Sequence, residues 1–131
     1  TLFVQDGDHF LWDAAVLDVN STNPGTSAVS STLTVPTGIK VLAIVNQTLT
    51  TGAGGASAGL LSSLDQADAA ASTSALPLAN IYTPASGVAA NRLEIRTNTS
   101  AQIRRRLSFS DGSVIHRIAT IGWLDRRGRD S

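Results

Sequence analysis

The stretch from Arg92 to Leu124, RLEIRTNTSAQIRRRLSFSDGSVIHRIATIGWL, decides the fold class. Arg92-Leu93-Glu94-Ile95-Arg96 alternates polar with apolar residues, the period of a half-buried strand. Thr97-Asn98-Thr99-Ser100 reads as a turn. Gln102 to Phe109 alternates again, with Ile103, Leu107 and Phe109 on one face and Arg104 and Arg106 on the other. Arg105 falls on the apolar face and breaks the pattern. Ser110-Asp111-Gly112-Ser113 predicts a hairpin turn, because Asp-Gly tolerates the positive φ angles such turns need. Val114 to Leu124 is the closing strand.

The same signals recur upstream. His9 to Val19 reads as a strand carrying two wide aromatics, Phe10 and Trp12. Asn20 to Gly25 ends it with a Pro-Gly pair, in which Pro fixes φ and Gly permits φ > 0. Thr26 to Val35 alternates Ser and Thr with Val, Leu and Ala, and Pro36-Thr37-Gly38 turns the chain again. In Ile39 to Leu49 the two faces are both partly apolar: Val41, Ala43, Val45 and Leu49 on one, Leu42 and Ile44 with Lys40 and Asn46 on the other. A sandwich strand with one solvated face shows a clean alternation. This one is therefore either central and covered on both sides, or packed on a second subunit. Thr50 to Ser57 is a loop and Ala58 to Leu64 a weaker strand. Asp65 to Ala75 reads as loop, and Leu76 to Ala90 as a long irregular connection. About seven or eight short strands with regular turn signals predict an all-β, antiparallel β-sandwich of jelly-roll type. It is read as one domain over residues 1–131, with 1–8 and 125–131 peripheral.

The composition narrows the function classes. There is no cysteine, so neither a disulfide framework nor a thiolate metal site is available. No apolar run reaches the roughly 18 residues of a membrane-spanning helix, and no membrane insertion is expected. The first ten residues lack the basic and apolar regions of a signal peptide. The chain has no Met and begins at Thr1, which fits the ordered or processed part of a longer protein. Formal net charge is zero but unevenly spread. Up to Asn91 the only basic residue is Lys40; from Arg92 onward there are nine arginines against Glu94, Asp111, Asp125 and Asp130. Such asymmetry is sometimes a nucleic-acid signal. Zero net charge, and aromatics placed where core residues belong, argue against nucleic acid here.

Motifs for chemistry are few. Gly55-Ala56-Ser57-Ala58-Gly59 matches G-x-S-x-G, but a hydrolase elbow needs a strand before it and a helix after it. Here the motif lies in a small-residue loop ahead of a strand. Asp6, Asp8 and His9 lack the glycine and distal glutamate of a calcium loop and read as a solvated turn. His116 alternates with Val114 and Ile118, as a hydrogen-bonded core or interface histidine does. No catalytic residue, metal ligand or cofactor site is assigned.

Arg104-Arg105-Arg106 is the most unusual feature. Within one hairpin, Arg104 and Arg106 are expected opposite Arg92, Glu94 and Arg96, where Glu94 would pair with one of them. The remaining arginines would seek Asp13 or Asp18, or acids of a neighbour. Arg92, Glu94, Arg96, Arg104, Arg105 and Arg106 are thus candidate subunit-interface residues, favoured over an anion-binding role because arginine is enriched at interfaces. For a carbohydrate-binding module, the candidates for stacking on sugar rings are Trp12, Tyr82 and Trp123.

Several segments resemble virion proteins of tailed bacteriophages. Thr34 to Val41, TVPTGIKV, resembles the entry to a strand in tail-fibre and related proteins. Leu93 to Arg104, LEIRTNTSAQIR, is similar to a hairpin in them, and Ile121 to Gly128, IGWLDRRG, to their ending. Val16-Leu17-Asp18-Val19-Asn20 adds a fourth match. The resemblance implies a non-enzymatic β-domain of a tail fibre, spike, baseplate or head decoration. It implies assembly as a homo-oligomer, trimeric or higher, with other virion proteins. It further implies location in the virion after assembly in the bacterial cytoplasm, and contact with a host cell-surface glycan. It carries over no site residues.

Overall fold

The computed structural model describes residues 3–7, 9–67 and 80–125. Among these residues nine strands are formed: β1 (Phe3–Asp6), β2 (His9–Thr22), β3 (Val29–Thr32), β4 (Leu42–Thr50), β5 (Ser57–Ser62), β6 (Ile81–Thr83), β7 (Val88–Arg96), β8 (Gln102–Leu107) and β9 (Ile115–Leu124). They make a five-stranded sheet in the order β1-β2-β9-β4-β7 and a four-stranded sheet in the order β3-β8-β5-β6, every pairing antiparallel. Without β1, each sheet has four strands, and most connections cross from one sheet to the other. That is the jelly-roll arrangement expected from the sequence.

The crossings correct two local expectations. Arg92 to Phe109 is not a hairpin: β7 lies at the edge of the five-stranded sheet, and β8 lies inside the other. The turn at Asp111-Gly112 likewise joins β8 to β9 across the sandwich. It is closed by Val114 N donating to Asp111 O (3.1 Å) and by Ser113 N donating to Asp111 Oδ1 (2.8 Å). Alternation marks a segment as a strand, but in this topology sequence neighbours are seldom sheet neighbours.

Two strands lie where none was expected. β1 pairs with β2 up to Asp6 opposite His9, turning through Gly7 at φ +62°. β6 and the start of β7 occupy the connection read as irregular. Residues 68–79, in the segment read as loop and irregular connection, and most of the C-terminal tail lie outside the described residues.

Apolar side chains between the sheets form two clusters. The larger holds Val19, Leu33, Val45, Leu61, Ile103, Ile118 and Trp123, with Phe10 and Trp12 packed on it. The smaller holds Leu49, Ile81, Leu107 and Val114. β4 is central in its sheet, between β9 and β7. On its outer face Ile44 is only 1% exposed, opposite Gly122 and Glu94, so this single chain already covers it. β2 carries two irregularities against β9, between Leu11 and Val16 and between Leu17 and Val19. At the second, Asp18 is the extra residue. Its carboxylate accepts from Thr34 N (2.7 Å), Thr34 Oγ1 (2.6 Å) and Thr120 Oγ1, tying β2 and β9 to the segment after β3.

Candidate functional site

The structure separates the six candidate interface residues into three environments. Arg92, Glu94 and Arg96 alternate along the outer face of β7 and are exposed. Arg104 and Arg106 lie on the outer face of β8 in the other sheet. There Arg104 Nη1 donates to Gln66 O (2.8 Å) and Arg106 Nε to Thr26 O (3.2 Å). Glu94 therefore meets neither of them. Asp13 is exposed, and Asp18 is engaged by the two threonines. Among the described residues an acid that meets an arginine is Asp65, which sequence reasoning missed. Arg96 Nε lies 3.0 Å from Asp65 Oδ2, and Lys40 Nζ 2.9 Å from Asp65 Oδ1. The hydrogen bond from Lys40, aided by the charges of Lys40 and Arg96, holds the Asp65 carboxyl below its usual range. Between β7 and β5 lies a cleft of about 470 Å³, lined by Leu61, Asp65, Asn80, Leu93, Glu94 and Arg96 among others.

Arg105 is the third environment. It points inward, and Nε donates to Ser31 Oγ (2.8 Å). Burial lowers the pKa of the guanidinium, which stays a cation at neutral pH. Deeper between the sheets, His116 and Gln47 are fully buried, with Nε2 and Oε1 3.0 Å apart. Gln47 Nε2 reaches Asn80 Oδ1 (3.4 Å). Asn80 in turn clamps β5, accepting from Leu61 N (3.0 Å) and donating Nδ2–H to Leu61 O (2.8 Å). Asn91 Nδ2 donates to Asn80 O. A polar thread thus crosses the sandwich from β9 to β5. Burial, and secondarily the charge of Arg105, push the His116 pKa down to about 4. The signal was present in the sequence: Gln47, Arg105 and His116 each take an apolar-face position of an alternating strand. Their convergence was not legible, since they come from three strands far apart in the chain.

The serine motif does not build an elbow. Ser57 is fully buried, opens β5 and donates Oγ–H to Phe109 O (2.8 Å), while His116 faces Gln47. Among the described residues no group of three His, Asp or Glu side chains is placed to hold a metal. No helix among them is long and apolar enough to cross a membrane.

The aromatic candidates divide as well. Trp123 is 6% exposed, stacked on Phe10 at 5.3 Å and 5° and tilted against Trp12 at 5.0 Å. Trp12 Nε1 donates to Thr34 O (2.9 Å). Trp123 is part of the core, and Trp12 packs on it partly buried. Tyr82 is 40% exposed, on the outer face of β6 opposite Ala58.

Two of the segments that resemble phage proteins, Thr34 to Val41 and Leu93 to Arg104, meet at one end of the sandwich. Gly38 N donates to Thr99 O (2.7 Å), Leu33 N to Ala101 O (2.8 Å) and Thr97 N to Val41 O (2.8 Å), while Leu42 pairs with Leu124. They form a structural corner. No protein-family model matches the chain, and a search of curated proteins finds no match.

Proposed function

We propose that this chain is a structural and attachment β-domain of a tailed-bacteriophage virion, of tail or tail-fibre type. It would act without catalysis, through symmetric assembly of three or more copies with other virion proteins. The observation that carries the reading is β7. It is a long strand at the sheet edge, exposed along one face, with Arg92, Glu94 and Arg96 spaced along it. Exposed edges are ready templates for another chain. The contact between two of the resembling segments, Thr34 to Val41 and Leu93 to Arg104, supports the same reading, because such segments would then set the fold that assembly uses. A head decoration is the alternative within the same class. The decisive experiment is mass spectrometry of purified particles from a host that carries the gene. The chain is expected among the particle proteins; its absence from particles whose capsid proteins are detected would overturn the reading.

A carbohydrate-binding role keeps one specific support, Tyr82. Its ring stands on the outer face that also carries Arg104 and Arg106. Ring stacking and arginine hydrogen bonds suit an anionic host-surface glycan. Loss of glycan-array binding on Tyr82→Ala, with the fold unchanged, would support it; equal binding by the variant would dismiss it.

A further inference from the structure

We propose that two copies of this chain pair edge to edge through β7, antiparallel about a two-fold axis at Leu93, with Arg92 of each copy opposite Glu94 of the other. The inference rests on the assembly reading above and narrows it to one contact.

The backbone fixes which residues are available. Thr97 N donates to Val41 O, and Thr51 N donates to Gly87 O, at the two ends of the β4–β7 ladder. The register between them is unbroken. Odd-numbered residues of β7 therefore turn their N–H and C=O toward β4, and even-numbered residues turn theirs outward. Among the described residues no strand pairs with this outward edge. A partner must hydrogen-bond to Val88, Ala90, Arg92, Glu94 and Arg96, so an antiparallel pairing must set even residues opposite even residues.

Charge then selects among the registers, since opposite charges across strands stabilise and like charges destabilise. Full overlap, 88–96 against 96–88, sets Arg92 opposite Arg92. Glu94 opposite Glu94 also sets Arg92 opposite Arg96. Glu94 opposite Arg96 keeps only 94–96 of the strand in overlap, and Arg96 already serves Asp65. Overlap of 88–94 with 94–88 sets Arg92 opposite Ala90 and Glu94 opposite Val88, with no charge pair, whereas 90–96 against 96–90 sets Arg92 opposite Glu94 twice by symmetry. It also places Leu93 against Leu93 on the inner face. Leu93 is partly buried on the main core cluster, and its exposed remainder would be covered. The two five-stranded sheets would join into one.

The test is a charge-swap series read by sedimentation and light scattering, with circular dichroism as the fold control. The wild type is expected to have an even number of copies. Glu94→Arg and Arg92→Glu should each halve that mass, weakening the pairing roughly tenfold or more, because symmetry makes each change count twice. The double variant Arg92→Glu/Glu94→Arg should restore it. An equimolar mixture of the two single variants should restore it as a mixed assembly in which each pair holds one copy of each variant. Unchanged mass in the single variants, or no recovery in the mixture, would overturn the proposal. A three-copy wild type would overturn this contact and leave the assembly reading standing; a monomer at high concentration would overturn both.

Discussion

His116 Nε2 and Gln47 Oε1 lie 3.0 Å apart inside the sandwich, on neighbouring strands, with both side chains shut off from solvent. An amide oxygen only accepts, so the imidazole proton sits on Nε2 and Nδ1 is a bare acceptor. Among the described residues Nδ1 meets no hydrogen-bond partner. A second proton would therefore land where no acceptor stands, and the charge of Arg105 opposes it.

This arrangement sets a pH dependence of stability. The folded pKa of His116 is about 4, against 6.5 for the unperturbed group. Between those values the unfolded chain binds the proton more readily, so stability falls as pH drops from about 6.5 toward 4. The full span corresponds to about 3 kcal/mol. The carboxyls of Asp65 and Asp111 are held low, so their contribution is present above about 3.8 and is lost only at more acidic pH. Urea midpoints measured from pH 7 to pH 4.5 should decline for the wild type. They should stay nearly level for His116→Gln, and an equal decline in both would refute the assignment to His116.

Removing one partner of the pair should cost more than removing both. Gln47→Leu leaves the Nε2–H of His116 buried without an acceptor, at a cost of about 1–3 kcal/mol. His116→Leu strands the Gln47 oxygen at a similar cost. The double variant leaves neither orphan, so its loss should fall clearly below the sum of the two. Additive losses in chemical denaturation would show that the pair is not coupled.

The strands were legible where alternation is strict, because a two-residue period needs only local sequence. Ile95, Ile103 and Leu107 sit buried on the faces that alternation assigns them. The pairing of strands was not legible. Thr97 to Ala101 has the composition of a hairpin turn, yet it carries the chain across the sandwich, and no local signal distinguishes the two. β1 escaped notice although Asp6-Gly7 is the same dipeptide as Asp111-Gly112, since a four-residue strand offers little periodicity. At the candidate site, the break in pattern at Arg105 was visible. Its setting beside Ser31 and His116 depends on strands β3 and β9, which only the fold brings together.

Gly122 should tolerate no side chain. A Cβ there would stand 2.1 Å from Phe10 O and 2.9 Å from Leu11 Cα, both backbone atoms of the paired strand. Backbone in a ladder cannot withdraw without losing its own bonds. Gly122→Ala should therefore destabilise by about 3 kcal/mol, at the upper end of overpacking costs. Gly112→Ala is the control: a Cβ there meets nothing within 4 Å, and the change should stay within about 0.5 kcal/mol. Thermal melts of the two variants side by side decide the matter, and similar melting temperatures would refute the close approach at Gly122.

The aromatic residues should sort by stability and not by type. Trp123 lies in the main cluster between Phe10 and Trp12, so Trp123→Ala should cost about 3–5 kcal/mol through lost burial and the cavity left behind. Tyr82→Ala removes a ring that is 40% exposed on an outer face, and about 1 kcal/mol or less is expected. Trp12 stands between these cases. It is partly buried, and its indole N–H holds Thr34 O, the residue whose amide and hydroxyl also bind Asp18. Trp12→Phe keeps most of the apolar area but drops that bond, so it should cost about 1–2 kcal/mol and loosen the segment after β3. Amide exchange at Thr34 reads this locally: its N–H should exchange faster in Trp12→Phe and unchanged in Tyr82→Ala. Equal protection of Thr34 in wild type and Trp12→Phe would show that the indole bond does not anchor that segment.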